Sequence, residues 1–506
     1  MVSFSQIPAG WKVPGTSIEV DPSQAGTPTN PKWALLIGHK TTAGSAPADV
    51  PVAVGSEADA KALFGNGSML ARMFTKFFGV NRSQVMFCVP IAEPAAGTAA
   101  SGTVTISSAP SQSGVLAFYV AGQKVAVAVG QTDTATQVAT KLAAAINANV
   151  DLPVTVTSSG AVLTVFARWK GSTGNDIRVE DSILGLNGGE VLPTGLAITY
   201  PTNNILSGGA GTPDLTNAIA NLGDAPYKFV ANAFTDSAAL ALLATEYGFG
   251  DGGRWGWMRQ TYGQIFSARR DTYSSHMTWG VGFNHPVSYV MAVEPQSPSP
   301  VWEWAGVFAG NAAKALTSDP ARPLQTLVLS GILPAPKASR FNKGQLNALA
   351  GAGLAIQGTD LDGQQLGVPT IQREQSQYQR NTQGQADNAY ELATTLATLD
   401  EVFTRLRQAI GNKFPRSKLA NDGTRFGPGQ AIVTPKIIKG EIIAQYGLME
   451  YDGLVENLKA FKDALIVERS STDPNAVECV FPPDILNQLR RFNVRAAFRL
   501  QFPAAI

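Results

Sequence analysis

Apolar residues run nearly unbroken through WALLIGH at 33–39 and again through VMFCVPI at 85–91, which predicts strands buried on both faces. Between them the apolar spacing becomes helical. Ser56, with Asp59 three residues on, caps a first helix, and an apolar-faced segment at 67–78 makes a second. Strand, helices, strand is a βαβ unit and implies a parallel pair. The pattern resumes later, where strand-like runs at 227–233, 255–259 and 277–283 alternate with helical segments at 237–247 and 302–316. The most regular helix spans 385–410: Leu392, Leu396, Leu399, Phe403, Leu406 and Ile410 recur at spacings of four and three, and Gly411 stops it. Thr434-Pro435 opens another, with a cap and a proline at the first position.

Between about 95 and 210 the composition shifts to Ala, Gly, Ser, Thr and Val with little charge. Runs at 115–120 and 124–129 flank Gly122-Gln123 as a hairpin, and runs at 154–157 and 161–167 flank Ser158-Ser159-Gly160 as a second. Asp133 starts a helix that carries Val138, Leu142 and Ile146 on one face. This reads as a small inserted α+β domain, with Ser207-Gly208-Gly209-Ala210-Gly211 as the return linker.

The two ends of the chain are extended. Pro8, Pro14, Pro22, Pro28 and Pro31 prevent a helix at the start, where Thr16, Ile18 and Val20 alternate with polar residues. At the other end Phe492, Val494, Ala496, Phe498, Leu500 and Phe502 alternate with Arg491, Asn493, Arg495, Ala497, Arg499 and Gln501. Strands at 464–468 and 477–481 precede it, then a short helix at 485–490 opened by Pro482-Pro483-Asp484. A lone strand must find its ladder partner elsewhere in the fold or on another chain.

With 506 residues, 44% hydrophobic and 15% charged, the chain has room for about three domains of roughly 150 residues each. Lys+Arg 39 against Asp+Glu 38 gives a net charge of +1, so there is no global field to hold nucleic acid or an acidic membrane. Gly 50 and Pro 31 without a Gly-X-Y period indicate turns and not collagen. Cys88 and Cys479 lack metal or disulfide spacing and fit a reducing compartment. The start lacks the pattern of a signal peptide, and no run of about 18 apolar residues occurs, so the expectation is a soluble protein made in the cytoplasm.

Candidate chemistry is sparse. His39, His276 and His285 have no Cys, His or carboxylate at metal-ligand spacing and read as structural. No GxSxG, HExxH or Walker loop is present. Gly65-Asn66-Gly67 at a helix start could receive an anion, and Gly38 ends the first strand as a dinucleotide loop does, but turn glycines explain both. Asp360 and Asp362 in TDLDG lack an EF-hand continuation and read as a turn. Trp255, Trp257, Trp279, Trp302 and Trp304 could stack a sugar beside Glu294 or Glu303, although Trp255 and Trp257 on one strand face fit core packing equally well. Lys413, Arg416, Lys418 and Arg425 have no interleaved stacking aromatics apart from Phe414 and Phe426, so a solvated or protein-facing patch is preferred to a nucleic-acid groove. The expectation is no catalytic residue, no metal and no cofactor.

VPGTSIEVDPSQAG at the start, FGNGSMLARMF, KLANDGTRFGPGQAIVTP and the final DPNAVECVFPPDILNQLRRFNVRAAFRLQF together resemble the tail sheath proteins of contractile-tailed bacteriophages, in their Mu-like branch. The resemblance spans nearly the whole chain and is most specific in the C-terminal third. It implies a structural virion protein, polymerised as stacked hexameric rings around a tail tube protein, that shortens to drive the tube through the host envelope. It implies baseplate and tail terminator proteins as further partners, a place in the virion tail, and assembly in the host cytoplasm. Neighbouring family members exchange strands through their terminal arms, which fall here on Thr16, Ile18 and Val20 and on Phe492, Val494, Phe498 and Leu500. Tube contact in the family is electrostatic and C-terminal, making Lys459, Lys462, Arg490 and Arg491 the tube-facing candidates, with a plain solvated face as the other reading of those charges.

The resulting layout is a multidomain α/β and α+β chain: an extended arm at 1–31, a discontinuous α/β domain at 32–94 and 211–371, an inserted outward-facing domain at 95–210, a C-terminal α+β domain at 372–490, and a strand arm at 491–506. A nucleotide- or carbohydrate-binding enzyme and a host-binding adhesin are the alternatives. The adhesin reading draws on the hairpin-rich insert.

Overall fold

The computed structural model describes residues 30–361 and 364–501. Its centre is a six-stranded sheet in the order Ser288–Val293, Gln264–Arg270, Tyr227–Asn232, Trp33–His39, Met86–Ile91, Val52–Ala53. All neighbours run parallel except the short Val52–Ala53 edge. The central strands are buried end to end, as covered parallel sheets require. The helices Glu57–Phe64 and Met69–Val80 are capped by Ser56 and Ser68, whose hydroxyls accept from Asp59 N and Ala71 N.

The helix Val301–Ser318 packs against both Met69–Val80 and the sheet. Gly306 and Gly310 permit this close approach: a Cβ on Gly310 would stand 2.5 Å from Val80 Cγ2, and one on Gly306 3.0 Å from Met73 O.

Between strands Met86–Ile91 and Tyr227–Asn232 the chain forms two further sheets. One is antiparallel in the order Ala197–Thr199, Ala99–Ser108, Val162–Lys170, Val154–Ser159; the other sets Gly114–Val120 between Gln123–Val129 and Val179–Asp181. The first hairpin turns at Ala121-Gly122, both at positive φ (51° and 72°), one residue earlier than the sequence pattern predicts. Thr134, not Asp133, caps the helix Ala135–Ala148, because its hydroxyl and the Gln137 side chain close a reciprocal box. Asp133 instead accepts from Gly130 N and pairs with Lys141. Val138, Leu142 and Ile146 are buried as expected. The return segment is no loose linker: Ser207 and Ala210 bridge back to Ser101 and Thr98.

This region and the central sheet share one apolar core, in which Trp169 meets Trp302 edge to face at 5.4 Å. Buried polar contacts reinforce the seam. Arg72 pairs with Glu303 and donates to Gln123 Oε1 and Asp151 O, while Arg270 pairs with Asp176 at 3.1 Å.

A second core lies toward the C-terminus, where Val402, Ile442, Tyr446, Met449, Phe461 and Leu465 join the helices Ala393–Lys413, Pro435–Tyr451 and Leu458–Ala464. The first of these helices starts later than the apolar spacing predicts. Residues 385–392 are held as a loop, where Tyr378 donates to Asp387 and Ser376 to Tyr390 O. Gly411 does not stop the helix either, because it faces open space and the turn continues to Lys413.

Three other expectations are corrected. Residues 255–259 form successive turns, not a strand, because glycines at 248, 250, 252, 253 and 256 coil the chain before the true strand Gln264–Arg270. The segment 277–283 lies largely in the helix Tyr273–Gly280, which Thr272 caps by accepting from Ser275 N. No helix forms at 485–490, where Ile485 instead bridges Val455. The expected arm strand at 16–21 lies outside the described residues.

Candidate assembly surfaces

The C-terminal hairpin pairs Ile466–Arg469 with Val477–Val480, antiparallel, and among the described residues no third strand joins it. Ile466, Cys479 and Val480 are exposed. Below it Tyr446 stacks on Phe461 at 3.7 Å and Phe481 closes edge-on. Tyr446 Oη donates to Glu456 O (2.6 Å) and accepts from Asp484 N (3.1 Å), while Glu456 N donates to Asp484 O and Leu486 N to Leu454 O. Thus the chain leaving the hairpin is stitched down residue by residue.

Two last attachments follow. Gln488 Nε2 donates to Ala321 O at 2.9 Å, and Arg490 forms a two-pronged pair with Glu374, whose carboxylate is fully buried. Beyond this latch residues 491–501 carry no regular secondary structure and are exposed. Phe492 and Phe498 are each 84% exposed, Val494 69% and Leu500 97%. The sequence pattern predicts a strand here; among the described residues these side chains enter no sheet, so the alternation is present without the ladder.

Of the four basic candidates, Lys459 and Lys462 are exposed on the helix Leu458–Ala464, and Arg491 is exposed at the base of the arm. Arg490 differs, because its side chain is only 12% exposed and its guanidinium is spent on Glu374. No motif signals that pairing, since its partners stand 116 residues apart. Thr16, Ile18 and Val20 lie outside the described residues.

The enzyme alternative finds no assembled site. Among the described residues no three His, Cys, Asp or Glu side chains gather as a metal group. His39 is fully buried, its Nδ1 3.4 Å from Ile91 O, and burial lowers its pKa to about 4. His276 is buried against Val293 O, and burial also lowers the pKa of His276 and His285. Trp302 and Trp304 point into the core, Trp255 is buried, and Trp257 is exposed, so the tryptophans make no common platform. Of the two acids proposed beside them, Glu303 is tied to Arg72 and Glu294 accepts from Gln357. Gly65 and Gly67 are turn glycines at φ 89° and 69°, and a Cβ on Gly67 would strike Leu152 O at 2.3 Å. Cys88 is buried in the sheet, where it acts as a small hydrophobe.

The phage tail sheath protein central domain matches residues 208–368, and the phage tail sheath C-terminal domain matches 385–499. The chain is 37% identical over 491 residues to the Mu-like prophage FluMu tail sheath protein of Haemophilus influenzae, covering 97% of this chain and 98% of that one. Among solved structures, a sheath tail protein from Desulfitobacterium hafniense is 13% identical with a TM-score of 0.45, covering 93% of this chain and 100% of that one. The contracted helical sheath of the anti-feeding prophage is 12% identical with a TM-score of 0.43, covering 97% and 99%. The chain therefore belongs to the Mu-like contractile phage tail sheath family, as a structural subunit of the virion tail and not an enzyme.

Proposed function

We propose that copies of this chain stack as hexameric rings around a tail tube, linked by exchanged terminal strands, and that rearrangement of this lattice drives the tube through the host envelope. The observation that carries this reading is the C-terminal segment: firmly anchored at Arg490, then exposed with its large apolar side chains on one alternation. A neighbour's two-stranded sheet at Ile466–Arg469 and Val477–Val480 is a fitting acceptor, because its edges can extend by strand addition. The arm at 1–31, with Thr16, Ile18 and Val20, is assigned the same role. The division into a discontinuous α/β domain (32–94 and 211–371), an outward insert (95–210), a C-terminal domain (372–490) and an arm (491–506) belongs to this reading.

Magnitudes favour a mesh that holds while the tube lets go. Full burial of Phe492, Val494, Phe498 and Leu500 is worth about 1.5–3 kcal/mol each before ordering costs. An exposed ion pair with the tube from Lys459, Lys462 or Arg491 is worth about 0.2–1 kcal/mol. Arg490, already neutralised by Glu374, would act chiefly by fixing the root of the arm. Baseplate and terminator proteins would cap the two ends of the polymer, and assembly would take place in the host cytoplasm. Force comes from a population shift between two lattices, the extended one metastable.

Truncation tests this. Chains lacking residues 1–22, or everything after 491, are expected to keep the circular dichroism and melting curve of the full chain but to form no tubes under the electron microscope. Normal tubes from either truncated chain would defeat the strand-exchange mechanism.

A further inference from the structure

The hairpin of Ile466–Arg469 and Val477–Val480 has two unlike faces. Its register sets Val467 opposite Cys479 and Arg469 opposite Val477 on one face, where Val467 packs against the C-terminal core. On the other face Ile466 stands opposite Val480 and Glu468 opposite Glu478, and all four are exposed. Two carboxylates set directly across a ladder repel each other. Neither of these finds an ion-pair or hydrogen-bond partner for its side chain among the described residues. The cations bonded to this hairpin are engaged elsewhere: Arg469 donates to Pro474 O and Asn421 Oδ1, and Lys439 to Leu465 O. The strand Ile466–Arg469 lies against the helix Pro435–Tyr451, so Val477–Val480 offers the more open edge of the sheet.

The terminal arm is two-faced in the same way, with charge of the opposite sign. Phe492, Val494, Phe498 and Leu500 fall on one alternation, and Arg491, Arg495 and Arg499 on the other. Arg495 is exposed and has no partner among the described residues. It also stands mid-arm, with two of the large apolar residues before it and two after. A strand added along Val477–Val480 with Arg495 beside Glu478 satisfies both rows at once: the arginine row continues the acidic outer face, and the apolar row continues the face of Val467 and Val477. The other arm has the wrong sign for this edge, because the polar positions between Thr16 and Pro22 are Ser17, Glu19 and Asp21. In its own chain the C-terminal arm does not pair with the hairpin: Gln488 and Arg490 hold its root on Ala321 and Glu374, and residues 491–501 lie exposed and join no strand.

We propose that Glu478, backed by Glu468, is a positioning residue that seats Arg495 of another copy's C-terminal arm, so that charge selects which arm enters the hairpin edge and which of its faces turns outward. The inference rests on the reading that copies exchange terminal strands, and it adds the residues that choose the strand. Charge reversal in the full chain tests it. Like charges brought together oppose docking strongly, so Glu468→Lys with Glu478→Lys, or Arg495→Glu alone, is expected to raise the concentration needed for tubes roughly tenfold or more. The three changes combined should bring that concentration back toward the unmodified value. All three side chains are exposed, so the monomer's melting curve should stay in place. The native thiol of Cys479 reports the facing. Oxidised tubes of Val494→Cys or of Ala496→Cys, according to the direction in which the strands run, should contain copies linked to one another, and those of Asn493→Cys and Ala497→Cys should not. Labelled peptides of residues 491–506 and 12–25, titrated into the chain below its tube threshold, separate the two arms, and the first should bind at least tenfold more tightly. An unmoved threshold in both reversals, a combination that rescues nothing, cross-links at 493 or 497 or only within single chains, or tighter binding by the 12–25 peptide overturns the pairing while arm exchange stands. Normal tubes from a chain cut after 491 defeat arm exchange itself, and the peptide titration with and without the Glu478→Lys change still reports on the charge selection.

Discussion

In the six-stranded sheet the strand Trp33–His39 has a neighbour along each edge, Tyr227–Asn232 on one side and Met86–Ile91 on the other, and the helices Met69–Val80 and Val301–Ser318 pack against it. The C-terminal hairpin is two strands of four residues, paired with each other, and the apolar alternation behind it meets no sheet among the described residues. Both regions are written in the same alphabet of Val, Ile, Leu and Phe. What separates them is whether a complementary edge lies among the described residues. Where it does, hydrophobic burial produces a finished element; where it does not, the apolar area stays exposed.

This contrast can be broken most sharply at Phe498. Phe498→Asp places a charge on the arm's apolar face, which should abolish tubes in electron micrographs while shifting monomer stability by no more than about 0.5 kcal/mol, because the side chain is already exposed. If that substitution destabilises the monomer, the arm is packed within its own chain and the comparison is wrong.

The boundary between the two regions is the Arg490–Glu374 latch. Arg490→Ala strands a buried carboxylate and should cost about 3–5 kcal/mol in urea unfolding, whereas Arg490→Met together with Glu374→Met should recover most of that loss. Equal costs for the single and double changes would mean that packing, not charge, fixes the root of the arm.

A smaller, graded effect should appear with pH in the finished half. His39 is buried at the end of its strand, and its pKa falls from 6.5 to about 4 chiefly through loss of water, opposed by hydrogen bonds to Ile91 and Ala92. The unfolded chain takes up this proton near pH 6.5 and the folded chain only near 4. Stability from this residue is therefore complete above about 6.5 and declines as the pH falls toward 4, by on the order of 3 kcal/mol in all. Urea midpoints at pH 7 and 4.5 should converge in His39→Gln relative to the unmodified chain, and an identical pH slope in both would remove the histidine from the account.

Elements with a clean local signal were readable from the sequence. WALLIGH is a strand because its apolar run suits burial on both faces, Ser56 marks a helix start by accepting from Asp59 N within one turn, and Pro435 marks another by its fixed φ at the first helical position. The errors cluster where a distant partner decides. The apolar run around Trp255 and Trp257 resembles a strand, but arginine clamps to Gly223 and Ala225 coil it into turns. The strand Gln264–Arg270 looks polar because Arg269 and Arg270 end it, and the first bonds to Asp271 and the second to Asp176. In the C-terminal segment, alternation around Phe498 is legible, but the strand it predicts does not form among the described residues. Nothing near Arg490 disclosed Glu374, because ion pairs between remote segments leave no periodic trace.

The bridges Thr98 to Ala210 and Ser101 to Ser207 set the points where the chain departs from the sheet and comes home side by side. A segment so tethered can be enlarged, trimmed or exchanged by one genetic event without shifting the strands on either flank. Its shared core with Trp302 limits that freedom: any replacement must still cover that indole, so diversification should proceed at the far hairpin tip near Gly160, where a side chain meets open space.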